Sequence, residues 1–196
     1  MNDPISNIYQ QMILNESVTL DPEIKKLLDE YVTGTYSFDE DGVCNVVGSV
    51  DLSKQQFTKL PVKFGIVSGG FRCSINKLTS LEGAPREVGG SFNCCHNLLT
   101  SLEGAPLRVG GRVKCSDNQL ESLKGAPEEV EGNFECYNNP KLTYRDLFVL
   151  FGKVKGEIVY GDNILNTHCI DKDKLRRDRD VNSVLSKHDE LGNLDI

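Results

Sequence analysis

Cys94, Cys95 and His96 stand side by side, and a thiol beside an imidazole is the pairing from which a cysteine nucleophile and its base are made. Adjacency in sequence works against that use. On an extended strand successive side chains point to opposite faces, so Cys94 would turn inward and Cys95 outward, with His96 just after them. Ser74-Ile75-Asn76-Lys77 has the Ser-x-x-Lys spacing of acyl-transfer enzymes, but those enzymes carry the pair on successive turns of a helix and this segment reads as strand and turn. The carboxylate pairs Asp39/Asp41 and Asp171/Asp173 lack the ordered spacing of a calcium loop. The seven cysteines include no Cys-x-x-Cys pair, so zinc has little support, and no Gly-x-x-x-x-Gly-Lys phosphate loop occurs. No catalytic residue, metal ligand or cofactor is assigned on these grounds. The enzymatic alternative, a hydrolase or transferase, rests on Cys95, His96 and Asp117.

The elements that carry these residues repeat with a period of 21. Cys73, Cys94, Cys115 and Cys136 recur at that interval, as do Asn76, Asn97, Asn118 and Asn139, and then Leu81, Leu102 and Leu123. Gly-Ala-Pro follows each of these leucines at 83–85, 104–106 and 125–127, leading to Val88, Val109 and Val130 and then to Gly90, Gly111 and Gly132. Unbroken register of this kind means stacked coils. In each coil Phe or Val alternates with Cys as in a short strand, Asn marks the exit from the strand, and Gly-Ala-Pro bends the chain back. The back of the coil is too short for a helix and is expected to be extended. One coil cannot shield its apolar plane from water, so stability must come from neighbours about 4.8 Å away. Four of the seven cysteines fall on the inward position, where a thiol packs as a small apolar group and stays reduced.

The pattern Phe-x-Cys-x-x-Asn-x-Leu resembles the strand segment of leucine-rich repeats, with Cys in a usual Leu position. Leu-Thr-Ser-Leu-Glu-Gly-Ala-Pro is similar to the short bacterial type of that family, and with Val-Gly-Gly it resembles poorly characterised repeat proteins of tailed phages. The resemblance covers residues 71–139 and is specific for fold rather than activity. It implies an α/β leucine-rich-repeat solenoid with one parallel β-sheet and an extended back. It also implies a phage-encoded modulator or inhibitor of a host or antiviral-defence protein, acting by occlusion or sequestration.

Weaker copies extend the template both ways. Val50, Leu52, Gln55, Phe57, Leu60 and Val67 fall one period before their counterparts in the next coil, and 154–160 aligns with 130–136 after a three-residue insertion. Five coils and a partial sixth result. Thr143 to Phe151 replaces the usual corner with a short helix capped by Thr143. The expected organisation is a helical and hairpin cap over 1–47, the solenoid over 48–163, and a charged tail or capping helix over 164–196. In the cap, Asp21-Pro22 starts a helix with Ile24, Leu27, Leu28 and Tyr31 on one face and Gly34 as its stop, preceded by a weaker helix from Pro4 to Leu14. Tyr36–Phe38 and Val43–Val47 flank a hairpin turn at 39–42 that would cover the first coil's edge. The tail from Asp171 interleaves Lys172, Lys174, Arg176, Arg177 and Arg179 with acidic residues, a pattern read as a solvated helix or tail.

A net charge of −7 argues against a dedicated nucleic-acid binder, although the tail's basic residues offer one route to nucleic acid. With no leader pattern at the N-terminus and no apolar run long enough for a bilayer, the expected location is the cytoplasm of a bacterial host. What remains is a surface. Outward strand positions should form columns: Asp51, Arg72, Asn93, Lys114, Glu135, Val159; beside it Ser53, Ser74, Cys95, Ser116, Tyr137, Gly161; and beyond that Lys54, Ile75, His96, Asp117, Asn138, Asp162. The candidate protein-binding residues on this face are Arg72, Ile75, Asn93, His96, Arg112, Lys114, Glu135 and Tyr137. Arg and Tyr dominate interface energetics when desolvated. The implied partner is a host or bacterial protein, with no membrane involved.

Overall fold

The structure, a computed structural model, describes residues 20–161 and 163–166. The expected helix from Pro4 to Leu14, Asp162, Cys169 and the charged tail lie outside the described residues.

Asp21 caps helix α1 (Pro22–Tyr31) by accepting the Glu23 N–H at 2.7 Å, and Pro22 sits in the first turn, where no backbone donor is required. Leu28 is fully buried and Ile24, Leu27 and Tyr31 pack around it, so α1 closes the N-terminal end of the core. The helix ends at Tyr31 and runs directly into β1 (Val32–Phe38). Gly34, expected as the helix stop, is instead inside β1 opposite Gly48, with φ of +118° and +140° respectively. The two backbones approach so closely that a Cβ on Gly34 would lie 2.1 Å from the Val47 carbonyl oxygen. Strand β2 (Cys44–Asp51) completes the hairpin expected around residues 39–42, with the Asp39 carboxylate accepting the N–H groups of Asp41 and Val43.

β2 is also the first rung of the solenoid. Its first half pairs in parallel with β3 (Phe64–Val67), and its second half with β4 (Phe71–Arg72). Two ladders therefore run side by side from one long strand, and β2 spans the expected boundary at residue 47. The front ladder continues through β6 (Phe92–Asn93), β8 (Val113–Lys114), β10 (Phe134–Glu135) and β11 (Glu157–Tyr160). The second passes through β5 (Glu87–Val88), β7 (Arg108–Val109) and β9 (Glu129–Val130) to a bridge at Val154. Between the ladders each coil kinks at a glycine column. Gly90 donates its N–H to Gly69 and Gly132 to Gly111, and a Cβ on Gly111 would meet the Gly90 carbonyl carbon at 2.9 Å. β12 (Asn163–Asn166) adds an antiparallel strand to β11, so both ends of the front ladder are closed by a hairpin.

The interior follows the repeat. Cys73, Cys94, Cys115 and Cys136 are fully buried, and the N–H of each bonds to the neighbouring coil, which lines the thiols up in single file. Phe71 and Phe92 stack with ring centroids 6.0 Å apart. Each buried Phe or Leu contributes roughly 1.5–3 kcal/mol of apolar burial. Asn97 accepts the Leu78 N–H at 3.0 Å and donates to the carbonyls of Cys73, Cys94 and Cys95; Asn118 and Asn139 repeat the arrangement one and two coils on. Each Asn therefore ties its own coil to the preceding one. At the corners Ala84, Ala105 and Ala126 bond back to Leu81, Leu102 and Leu123. Gly83, Gly104 and Gly125 have φ of +81 to +89°, the third-residue geometry of a type II turn that favours glycine. In the last full coil the corner is replaced by a 3₁₀ helix (Tyr144–Leu150), whose Thr143 N–H and hydroxyl both bond to Asp146 and whose Leu147 and Leu150 are fully buried. Among the described residues no helix is long and apolar enough to cross a membrane.

Candidate functional site

The outer face of the front ladder gathers the candidate residues from four successive coils. The pairing Asp51–Arg72–Asn93–Lys114–Glu135–Val159 places the first column in register, because parallel two-residue strands stack without offset. Arg72 keeps about two-thirds of its side chain in solvent, with Asp51 3.7 Å away. Glu135 is the most enclosed charge of the column. Lys114 lies 3.0 Å from one of its oxygens and Arg112 3.6 Å from the other, leaving its side chain 13% exposed. Asn93 is half-buried, and its Oδ1 accepts the Cys95 N–H at 3.0 Å. Tyr137 is half-buried in the next column, in which Ser53 and Ser74 share a hydroxyl–hydroxyl bond of 3.0 Å.

Ile75 and His96 occupy the third column, where the chain leaves the strand. Lys54, Ile75, His96, Asp117 and Asn138 all take φ between +53 and +64°, a left-handed conformation that a β-branched residue such as Ile75 rarely adopts. The stack holds them there, since the N–H groups of Lys54, Ile75, His96 and Asp117 each bond to a carbonyl of the following coil. This geometry presents the four later side chains as a row. His96 Nε2 is 3.5 Å from Asp117 Oδ2, and Asn138 donates to Asp117 Oδ1 at 2.8 Å. Ile75 is 43% exposed, an apolar spot in a polar row.

The same columns bring Cys95 next to the His96–Asp117 pair, the set on which the enzymatic alternative rests. Cys95 occupies an outward strand position yet is only 8% exposed, among Lys114, Asp117 and Glu135. Burial pushes its thiol up to about 11, so the nucleophilic thiolate is scarce at neutral pH. Its neighbour Ser116 is fully buried, and its Oγ has no hydrogen-bond partner among the described residues. The six described cysteines are free thiols, and burial raises Cys44 to about 11 and Cys136 to about 12. Among the described residues no cluster of three His, Cys, Asp or Glu side chains is placed to hold a metal ion.

The sequence reading passed over a second surface. A shallow groove of about 280 Å³ runs along the second ladder, with Val67, Val88 and Val109 as its floor and Ile66, Glu87, Arg108 and Glu129 along one side. Arg108 is ion-paired with Glu87, and Lys155 lies 2.5 Å from Glu131 at the groove's end. The signal was available, since the residue before each repeated Val forms a column of its own. Comparison with known proteins adds no relative: no family model matches the chain, and neither a curated protein nor a solved structure is significantly similar to it.

Proposed function

We propose that this chain is a non-enzymatic, protein-binding scaffold whose recognition surface is the outer face of the front ladder, centred on Arg72, Ile75, Asn93, His96, Arg112, Lys114, Glu135 and Tyr137. The observation that carries the reading is the contrast between the faces of one set of strands. Inward positions repeat the same Phe or Val, Cys and Asn, whereas outward positions change charge and size from coil to coil. A stack that keeps its shape while varying one face separates fold from specificity. The raised Cys95 thiol favours this reading over a cysteine nucleophile. By resemblance the chain is a leucine-rich-repeat protein of the short bacterial type, of phage origin. Its target is then a protein of the bacterial cytoplasm, bound by occlusion or sequestration.

The test is capture from bacterial lysate with the full chain, followed by the double variant Arg72→Ala/Tyr137→Ala. The variant is expected to lose the captured partner with its circular dichroism unchanged, because Arg72 is exposed and Tyr137 only half-buried. Full retention of the partner moves the site off this face. Loss of an enzymatic activity upon alkylation at Cys95 would favour the hydrolase or transferase alternative.

A further inference from the structure

The parallel ladders are covered at their N-terminal end by β1, and among the described residues β1 itself leaves an open edge. Hydrogen-bond directions fix which groups face outward. In β2, Cys44, Val46, Gly48 and Val50 direct their main-chain groups to the coil that follows: the N–H groups of Cys44 and Val50 donate to Lys63 and Gly70, and the carbonyls of Val46 and Gly48 accept from Ser68 and Gly69. Asn45, Val47 and Ser49 are therefore the residues that bond to β1, through their partners Ser37, Thr35 and Thr33. The alternation turns the main-chain groups of Gly34, Tyr36 and Phe38, and the Val32 carbonyl, toward the opposite edge, where no strand pairs with them among the described residues. The Val32 N–H is already used, donating to Leu28 at the end of α1.

An edge of seven residues is long beside the two-residue rungs of the repeat, and Val-Thr-Gly-Thr-Tyr-Ser-Phe has none of the usual protection: no charge, no proline and no bulge. Peptide groups on an exposed edge bond to water until a strand displaces it, and an unprotected edge is a template for such pairing. We propose that the occupant is β1 of a second copy of this chain, added antiparallel about a two-fold axis through Thr35. That register is the one the outward groups select, because it sets Gly34 against Tyr36 of the second copy and Val32 against Phe38. Gly34 and Tyr36 then exchange N–H···O bonds with their counterparts, and each Phe38 N–H reaches a Val32 carbonyl. The side chains agree with the backbone. Tyr36 covers the bare Gly34 of the opposite strand, and Val32 meets Phe38 on the same side. On the exposed side Thr33 faces Ser37 and Thr35 faces its own copy, so no like charges are opposed. This dimer is independent of the recognition face proposed above, which lies on later rungs.

Sedimentation of the full chain tests it, together with two substitutions at exposed Thr35. The unaltered chain is expected to sediment at twice the single-chain mass, with Gly34 and Tyr36 amides protected from exchange in a concentration-dependent way. Thr35→Lys sets two ammonium groups against each other on the axis and is expected to give a monomer with unchanged circular dichroism. Thr35→Cys is expected to form a 35–35 disulfide under mild oxidation, whereas Ser37→Cys, whose counterpart lies four residues away along the strand, is not. A monomeric unaltered chain overturns the proposal; concentration-independent protection of the Gly34 and Tyr36 amides in that monomer would point to another segment of the same chain as the occupant. A dimer indifferent to Thr35→Lys, or one that cross-links equally at 37, overturns it as well.

Discussion

Replacing Asn97 by alanine removes one buried amide, and the structure says which groups are left stranded. The Leu78 N–H loses its acceptor, Asn97 Oδ1 at 3.0 Å, and gains no other. The three carbonyls that Asn97 served fare better. Cys73 O keeps the Asn76 amide, Cys94 O keeps the Asn118 amide, and Cys95 O keeps the Ile75 N–H. The cost is thus one orphaned buried donor at about 1–3 kcal/mol, plus weakened bonds and a small void, for a total of about 2–4 kcal/mol. Urea unfolding of Asn97→Ala against the unaltered chain measures it, with the exposed Gln119→Ala as a control expected within about 0.5 kcal/mol. Asn97→Asp sharpens the test. Its carboxyl can still accept from Leu78, but ionised it faces three carbonyl oxygens, which raises its folded pKa above the unfolded value of about 3.9. A raised acid stabilises below the unfolded pKa and loses that contribution as pH rises, so Asn97→Asp is expected to be most stable near pH 4 and to weaken toward neutrality. An Asn97→Ala midpoint equal to that of Gln119→Ala, or an Asn97→Asp stability flat with pH, would refute the reasoning.

Two further expectations rest on the repeat. Gly104→Ala places a Cβ 2.8 Å from the Leu81 carbonyl at a φ of +89° and is expected to destabilise by about 1–3 kcal/mol in the same unfolding assay, whereas Gly161→Ala, with nothing within 4 Å among the described residues, carries the backbone strain of its φ of +61°. The thiols predict alkaline lability. An unfolded thiol ionises near 8.5, whereas Cys44 and Cys95 hold their protons to about 11 and Cys136 to about 12. Between those values the unfolded chain has shed protons that the folded chain keeps, so stability is retained below about pH 8.5 and falls as pH rises toward 11. A melting temperature constant from pH 8 to 10.5 would contradict the burial of these thiols.

The period made most of the fold legible, because residues that must be identical inside a stack are identical in the sequence. Cys94 and Asn97 are fixed by neighbours one coil away, so their chemistry recurs every 21 residues and reads directly. The Asp39 turn and the Asp21 cap were also legible, each as a local side chain-to-backbone bond, and Thr143 stands at the expected N-cap, where the Asp146 carboxylate makes the bond to its N–H. The second ladder was not. After β3 its strands are two residues long and separated from the front ladder by a glycine kink, too short for alternation to register. Gly34 misled because glycine ends helices and also permits close strand contact, and only its partner Gly48, fourteen positions on, decides between them. The candidate face was legible as columns, since register follows from the period. Spacing puts Cys95 on the outward side of its strand, yet it is nearly enclosed, because its exposure depends on how the long side chains around it lie, which spacing does not encode.

Stacking in register is what would turn a row of sequence positions into the proposed recognition face, and it is measurable as a length. Asp51 and Val159 stand at the two ends of the same column, five rungs apart. At about 4.8 Å per rung their separation is about 24 Å. Spin labels on Asp51→Cys and Val159→Cys, in a chain that also carries Cys169→Ser and whose six described thiols are buried, should give a narrow distance distribution centred near that value. A broad distribution, or one centred well beyond it, would mean that the columns do not exist and that the proposed face is not a surface of this protein.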